Sequence, residues 1–393
     1  MLAFIWPAQA QHATPGAPLF SIITCGPGDE IYELEGHTAL RIRTTGGEDC
    51  VVNWGVFDFN RPGFVYHFVA GHTDYQCGIC PTEAFLHEYE QSGRWIVEHV
   101  LNLTHDQAWR LYDLVSENLK PENRVYRYRF LSDNCATRPI ALIEKAIGAE
   151  LKEYDDKVTP EGISYRGMMY NYHENYPWYQ FGIDIALGKE IDKPITQRQK
   201  AFAPIYLDEM LDRTYYIDAR GDTVPLSLNR ITISSGSDDE SVSAKTPFYL
   251  GPDFWGWMIF LLALAISLKD IGTHRITLWF DTVFYAILGL AGLLVTFLIF
   301  VSQHEATSPN WLILWLDPLC LIMPLSLYTK FRKAALYFQV LNASLLFILI
   351  VIWITTDRTL NTAFYPIILA DIARVVTYLT VLRNRFTVNH AHK

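Results

Sequence analysis

Two side chains in this sequence have the chemistry of a nucleophile and its base. Cys135 lies in the run Asp133-Asn134-Cys135-Ala136-Thr137-Arg138, and His37 lies far upstream in Gly36-His37-Thr38-Ala39. Behind Cys135, the apolar residues Ile140, Ile143, Ala146 and Ile147 recur at helical spacing, and Gly148 is a stop signal. Asp133 or Asn134 fits the N-cap, and Pro139 is tolerable only within a first turn. The spacing therefore places Cys135 at or beside a helix N-terminus. Free N–H groups and the helix dipole there favour thiolate over thiol and can hold an oxyanion. A thiolate with a histidine partner does acyl chemistry.

His37 opens the alternating segment His37–Arg43. His37, Ala39 and Arg41 are expected to share one face of a strand, and Thr38, Leu40 and Ile42 the other. A third group usually orients the imidazole. The next strand, Cys50–Gly55, offers Asn53 for that role, Asp58 follows shortly after, and a hairpin turn lies in Thr44–Asp49. A one-residue shift in pairing moves Asn53 to the opposite face, so the sequence leaves the register open. Arg41, Asn134 and Arg138 are expected to contact substrate around the dyad.

Other elements position these residues. Phe20–Thr24 reads as a strand. Thr104-His105-Asp106-Gln107 is a capping-box pattern that opens a helix with Ala108, Leu111, Tyr112, Val115 and Leu119 on one face. Arg124–Phe130 alternates as a strand that delivers the chain to Cys135, and its row Tyr126, Tyr128, Phe130 reads as core.

The 393 residues suffice for two domains, and the formal net charge of -10 argues against a nucleic-acid partner. Charge is uneven. After residue 250 there are seven acidic and ten basic side chains, or +3; before it there are 35 and 22, or -13. Residues 1–10 end in the cleavage-like Ala8-Gln9-Ala10 and are expected to be the remnant of a signal peptide. In an exported domain Cys25, Cys50, Cys77 and Cys80 could form disulfides, with the pairing left open. Cys77-Gly78-Ile79-Cys80 has no second ligand pair, so neither a metal nor a cofactor is expected.

The expected division is a signal-peptide remnant (1–10), a catalytic domain (11–150), a helical extension (151–232), a polar linker (233–252) and a membrane domain (253–393). Five spans are expected, over Phe254–Leu268, Thr277–Val301, Trp311–Leu327, Ala335–Ile354 and Phe364–Leu382. Basic residues flank alternate loops: Lys269 and Arg275, then Lys330, Arg332 and Lys333, then Arg383, Arg385 and Lys393. The positive-inside rule then puts the C-terminus in the cytoplasm and the acidic domain outside. The loop Gln303–Asn310 shares the outer side, and its His304, Glu305 and Asn310 are expected either to hold lipid substrate or simply to cap two spans. Asp317, Asp371 and Arg374 lie in or near spans, where ionisable groups are costly; helix pairing accounts for them.

The runs Thr24-Cys25-Gly26-Pro27-Gly28-Asp29-Glu30, Gly36-His37-Thr38-Ala39-Leu40-Arg41, Asn53-Trp54-Gly55-Val56-Phe57-Asp58-Phe59 and Asp133–Arg138 resemble the N-terminal periplasmic domain of the Lnb family, lipoprotein N-acyltransferases of Bacteroides-type bacteria. The multi-span tail with Ser308-Pro309-Asn310-Trp311 is similar as well. The order His-then-Cys also resembles the permuted NlpC/P60 and lecithin:retinol acyltransferase-like branch of papain-like folds. The resemblance implies an α+β papain-like periplasmic domain followed by a helical transmembrane bundle of about five spans. It implies His37 as base and Cys135 as nucleophile, a phospholipid acyl donor, a diacylglyceryl lipoprotein acceptor, and residence in the bacterial inner membrane. Two other readings stay open. One is a cysteine peptidase or amidase acting on cell-wall peptides, which needs no five-span anchor. The other is a membrane sensor or assembly factor without catalysis, which needs neither Cys135 nor His37.

Overall fold

The computed structural model describes residues 16–153, 162–237, 245–329, 332–356 and 361–391. The expected signal-peptide remnant at 1–10 and the centre of the expected linker lie outside them. The chain forms two compact units. The first comprises the described parts of Met1–Phe68, His72–Tyr165 and Pro194–Ser243; the second comprises Val69–Gly71, Arg166–Lys193 and the described parts of Ala244–Lys393.

The first unit is built on β1 (Leu19–Cys25), β2 (His37–Arg43), β3 (Asp49–Val56), β4 (Asp74–Pro81), β5 (Ile96–Leu101) and β6 (Val125–Arg127). A small separate sheet is made by β7 (Lys152–Glu153), β8 (Thr214–Ile217) and β9 (Thr223–Pro225), and β10 (Ser227–Ser234) returns to the main sheet. The main order is β10-β5-β1-β2-β3-β4-β6, with antiparallel neighbours throughout.

Strand alternation sorts the core into two faces. Phe20, Ile22, Leu40, Ile42, Val52 and Trp54 face a layer that includes Ala108, Leu111 and Val115 of the His105–Leu119 helix, Ile140 and Ile143 of the Thr137–Ile147 helix, and Leu207 and Leu211. Ile23, Cys25, Ala39, Val51 and Ile96 face Phe85 and, at the rim, Tyr89 of the Thr82–Gln91 helix. The Thr104 side chain and Gln107 make the reciprocal capping box that the sequence signals.

The expected helical extension at 151–232 is not one element. Residues 166–193 belong to the helical unit, whereas β10 pairs with β5 from Ser227↔Leu101 to Ser234↔Ile96. Pairing with β5 gives β10's backbone groups partners that an isolated segment lacks. The expected disulfides are also corrected: all six cysteines are free thiols. Cys50 pairs with Pro81 and Cys80 with Val51, so Cys50 and Cys80 emerge on opposite faces of the sheet, as do Cys77 and Cys80 on one strand. Cys25 lies on β1, three strands from β4.

Among the described residues of the second unit, four helices are long and apolar enough to cross a membrane: Pro252–Thr273, Leu278–Phe300, Lys333–Thr356 and Phe364–Val381. The expected third span is shorter and broken into turns at Trp311–Leu314 and Pro318–Leu321 and a helix at Ile322–Ser326. Pro318 and Pro324 interrupt the helical ladder, and the Asp317 side chain caps Leu319 N–H. Arg374 is fully buried and bonds Asp281 at 2.7 Å and Asp270 at 2.8 Å. Asp371 accepts hydrogen bonds from Tyr285 and Asn342, each at 2.9 Å. The pairing therefore runs from Arg374 to Asp270 and Asp281, not to Asp317 or Asp371.

Candidate active site

The β2–β3 register resolves what the sequence leaves open. Ala39 stands opposite Asn53, so Asn53 shares a face with His37. His37 Nε2–H donates to Asn53 Oδ1 at 3.0 Å, which leaves the Nδ1 lone pair free to take a proton. The imidazole is stacked on Tyr89, with ring centroids 6.0 Å apart and planes 7° apart. On Tyr89 in turn lies the Arg94 guanidinium, 4.6 Å from the ring centroid. Arg94 itself donates to Gly26 O at 2.6 Å and pairs with Glu33 at 2.9 Å. Burial pushes His37 down to about 4, against the Asn53 hydrogen bond and with help from the Arg94 charge. His37 is therefore neutral at neutral pH. Gly36, just before it, has φ +82°, and a Cβ there would meet Cys25 O at 2.6 Å, so only glycine allows the turn into β2.

Cys135 is 8 % exposed and precedes the Thr137–Ile147 helix by two residues. Asn134 shapes this entry. Its Oδ1 accepts Ala136 N–H at 2.8 Å and Thr137 N–H at 2.9 Å. Its Nδ2 donates to Phe130 O and Phe202 O, each at 2.7 Å. Both donors and the acceptor of this amide are thus committed, and the expected substrate contact gives way to a turn that leads into the helix, whose N-cap is Ala136 rather than the expected Asp133 or Asn134.

Three donors favour the Cys135 anion: the Thr38 backbone N–H, the Tyr128 hydroxyl and the residue's own backbone N–H. The β2–β3 ladder ends at Ala39–Asn53, and Thr38, one residue earlier, turns its N–H to the sulfur. Tyr128 is held by a backbone bond from its N–H to Thr73 O at 2.8 Å and by Thr73 Oγ1–H donating to its carbonyl at 2.6 Å. Its ring crosses Gly55, which has φ +89° and where a Cβ would meet the ring at 2.9 Å.

Burial nevertheless outweighs these donors, and the Cys135 thiol is raised above its ordinary value, with the Glu35 charge adding to the rise. The expected resting thiolate is therefore corrected to a neutral thiol, and the His37 imidazole is neutral as well. A helix start lowers a thiol only where burial is modest.

The remaining expected contacts are engaged elsewhere. Arg41 pairs with Asp49 at 2.6 Å and Glu98 at 2.9 Å. Arg138 holds Asp133 through two bonds of 2.7 Å and covers the Tyr126 ring at 3.6 Å. In the helical unit Asn310 is a turn cap: its Oδ1 accepts Leu312 N–H at 3.0 Å and its Nδ2 donates to Ile185 O at 2.8 Å. His304 lies in the loop after the Leu278–Phe300 helix, and its carbonyl accepts from Thr307 Oγ1 at 3.4 Å.

Tyr128 is the site residue the sequence reading missed. The alternation of Arg124–Phe130 places it in an aromatic core row, but the strand ends at Arg127 and an Arg129↔Asp133 bridge closes the turn toward Cys135. The signal was Gly55, a glycine inside a strand pattern, which marks a close approach.

Chemically, the arrangement supplies a base with one free lone pair, an amide that fixes its tautomer, a thiol, and donors positioned for negative charge. Residues 9–165 match the family model of the Lnb N-terminal periplasmic domain, and residues 243–385 match that of the Lnb transmembrane domain. No curated protein and no solved structure matches the chain.

Proposed function

Because the chain belongs to the Lnb family, with a periplasmic domain and a membrane domain together taking in three quarters of its length, we propose that it is a thiol-dependent lipoprotein N-acyltransferase of the inner membrane. The observation that supports this most is the convergence of the Thr38 N–H and the Tyr128 hydroxyl on Cys135, with the Asn53-oriented His37 one residue before Thr38 on the same strand. The first unit serves in this reading as a papain-like domain of the permuted NlpC/P60 type, and the C-terminus lies in the cytoplasm.

His37 Nδ1 takes the Cys135 proton as the sulfur attacks an ester carbonyl of a phospholipid. The tetrahedral oxyanion is stabilised by the donors that surround the sulfur. The C–O bond breaks, His37 returns the proton to the leaving oxygen, and lysophospholipid departs from a Cys135 thioester. The α-amine of a lipoprotein's diacylglyceryl cysteine then attacks the thioester. His37 takes a proton from that amine, the C–S bond breaks, and the thiol is restored. Both substrates reside in a bilayer, which accounts for a catalytic domain fused to spanning helices. Neutral partners suit this sequence, since proton transfer then accompanies attack and no buried ion pair has to be maintained at rest.

Mass spectrometry of lipoprotein N-termini from cells with and without this protein tests the proposal. The expected result is an amide-linked acyl chain present only with the protein. Unchanged N-termini, together with cleaved wall peptides, would favour the peptidase reading.

A further inference from the structure

Beyond β3 the first unit carries an aromatic ridge that the site does not use. Phe57 meets Phe59 at 4.6 Å and Phe64 at 5.9 Å, Phe59 meets Phe64 at 5.1 Å, and Tyr32 touches both Phe57 at 5.8 Å and Phe59 at 5.5 Å. These rings are interlocked, yet Tyr32 and Phe59 are each 54 % exposed, and the adjoining Val65, Tyr66 and Phe68 are 73 %, 61 % and 49 % exposed. Four rings at about half exposure present on the order of 400 Å² of apolar surface, the size at which a patch marks an interaction site.

Chain continuity says what covers it. Val69–Gly71, which follow Phe68 directly, belong to the helical unit. There Ser302 Oγ–H donates to Val69 O at 2.9 Å and Gln303 N–H to Ala70 O at 2.9 Å. Gly71, with φ +73°, lies so close that a Cβ would meet His304 N at 2.6 Å. Ser302 comes two residues after the Leu278–Phe300 helix, at the end that returns to the periplasmic side. Val65, four residues before Val69, can lie no more than about 14 Å from that anchor. A ridge of Phe and Tyr whose chain continues directly into a segment bonded to the end of a span has the composition of a membrane-interface belt.

We propose that the ridge formed by Tyr32, Phe59, Val65, Tyr66 and Phe68 inserts into the outer surface of the bilayer that the helices span. It also deepens the acyltransferase reading, on which that part rests. Tyr32 lies five residues before His37 and Val56 three after Asn53, so an inserted ridge brings the dyad's own strand ends to the lipid.

The first test needs no turnover. A nitroxide is attached at Val65→Cys, or at Glu122→Cys as a solvent-exposed reference, in full-length protein that also carries Cys50→Ser, Cys80→Ser and Cys135→Ala, so that the part-exposed native thiols are not labelled, in phospholipid nanodiscs. Collision with lipid-soluble oxygen and with a water-soluble nickel complex is then compared. The expected result is oxygen preference at position 65 and nickel preference at position 122. Nickel preference at both positions overturns the proposal, as does shielding of position 65 from both reagents with dipolar broadening, which would mean a second copy. In the second test Val65→Asp with Tyr66→Asp should slow acyl transfer from bilayer phospholipid about tenfold and leave the Cys135 alkylation rate unchanged. An equal loss of alkylation would overturn the docking role. If wild type transfers nothing, the acyltransferase reading fails while the nitroxide result still decides the insertion.

Discussion

Tyr128→Phe removes one oxygen and leaves the ring that lies against Gly55 and Tyr75 in place. The lost hydroxyl is one of the donors that favour the Cys135 anion. A hydrogen bond to a charged partner contributes about 1.5–3 kcal/mol. At about 1.4 kcal/mol per factor of ten, the substitution should slow thioester formation roughly ten- to a hundredfold. The sign of the thiol shift follows: a donor to the anion lowers the pKa, so its loss raises it further above the ordinary value. The assay is alkylation of Cys135 by iodoacetamide across a pH series, read from the mass of the Cys135 peptide after digestion because five other free thiols are present, alongside acyl transfer. The reactive limb should move to higher pH, with an unfolding midpoint close to wild type. A pH profile superimposable on wild type with undiminished transfer would refute the reasoning, because Tyr128 would then be core.

Gly55→Ala should displace the Tyr128 ring and reproduce the reactivity loss of Tyr128→Phe, together with a lower unfolding temperature, since its Cβ would meet the ring at 2.9 Å. His37 acts as base only when neutral, and its pKa is pushed down to about 4; the acid limb of kcat/KM should therefore lie well below the ordinary histidine value of about 6.5. Asn53→Ala removes the bond that raises His37 and should move that limb lower still, as a pH–rate series would reveal. Asn134→Ala strips two helix-start N–H groups and two carbonyls of their partners and should cost about 2 kcal/mol or more in chemical denaturation. Arg374→Leu leaves Asp270 and Asp281 without their cation and should lower stability in detergent by about 3–5 kcal/mol, read from thermal inactivation.

Local signals were legible where one segment carried them whole. The capping box at Thr104, the face Ala108–Leu111–Val115 and the apolar helices announce themselves through period and composition. The placement of Asn53 depends on a pairing register, and a strand's alternation is the same in either register. β10 was invisible because its partner β5 lies more than 120 residues upstream and its own residues are mostly exposed. Segment 166–193 joins the helical unit through long-range bonds, such as Asn361 Nδ2–H to Asp184 at 2.8 Å, that no local pattern encodes. The broken third span was written in Pro318 and Pro324, but hydropathy averages over prolines. The thiol's protonation state also escaped, because a helix start is a local feature and burial is a global one.

The central claim is a thioester on Cys135, and one measurement addresses it directly. The full-length protein in nanodiscs is given a phospholipid with an isotopically labelled acyl chain and no lipoprotein acceptor, and is then digested and analysed by mass spectrometry. The account predicts one labelled acyl group on the Cys135 peptide, released by neutral hydroxylamine, absent from Cys135→Ala and strongly reduced in His37→Ala. A label that resists hydroxylamine, sits on another residue, or persists in Cys135→Ala would contradict it.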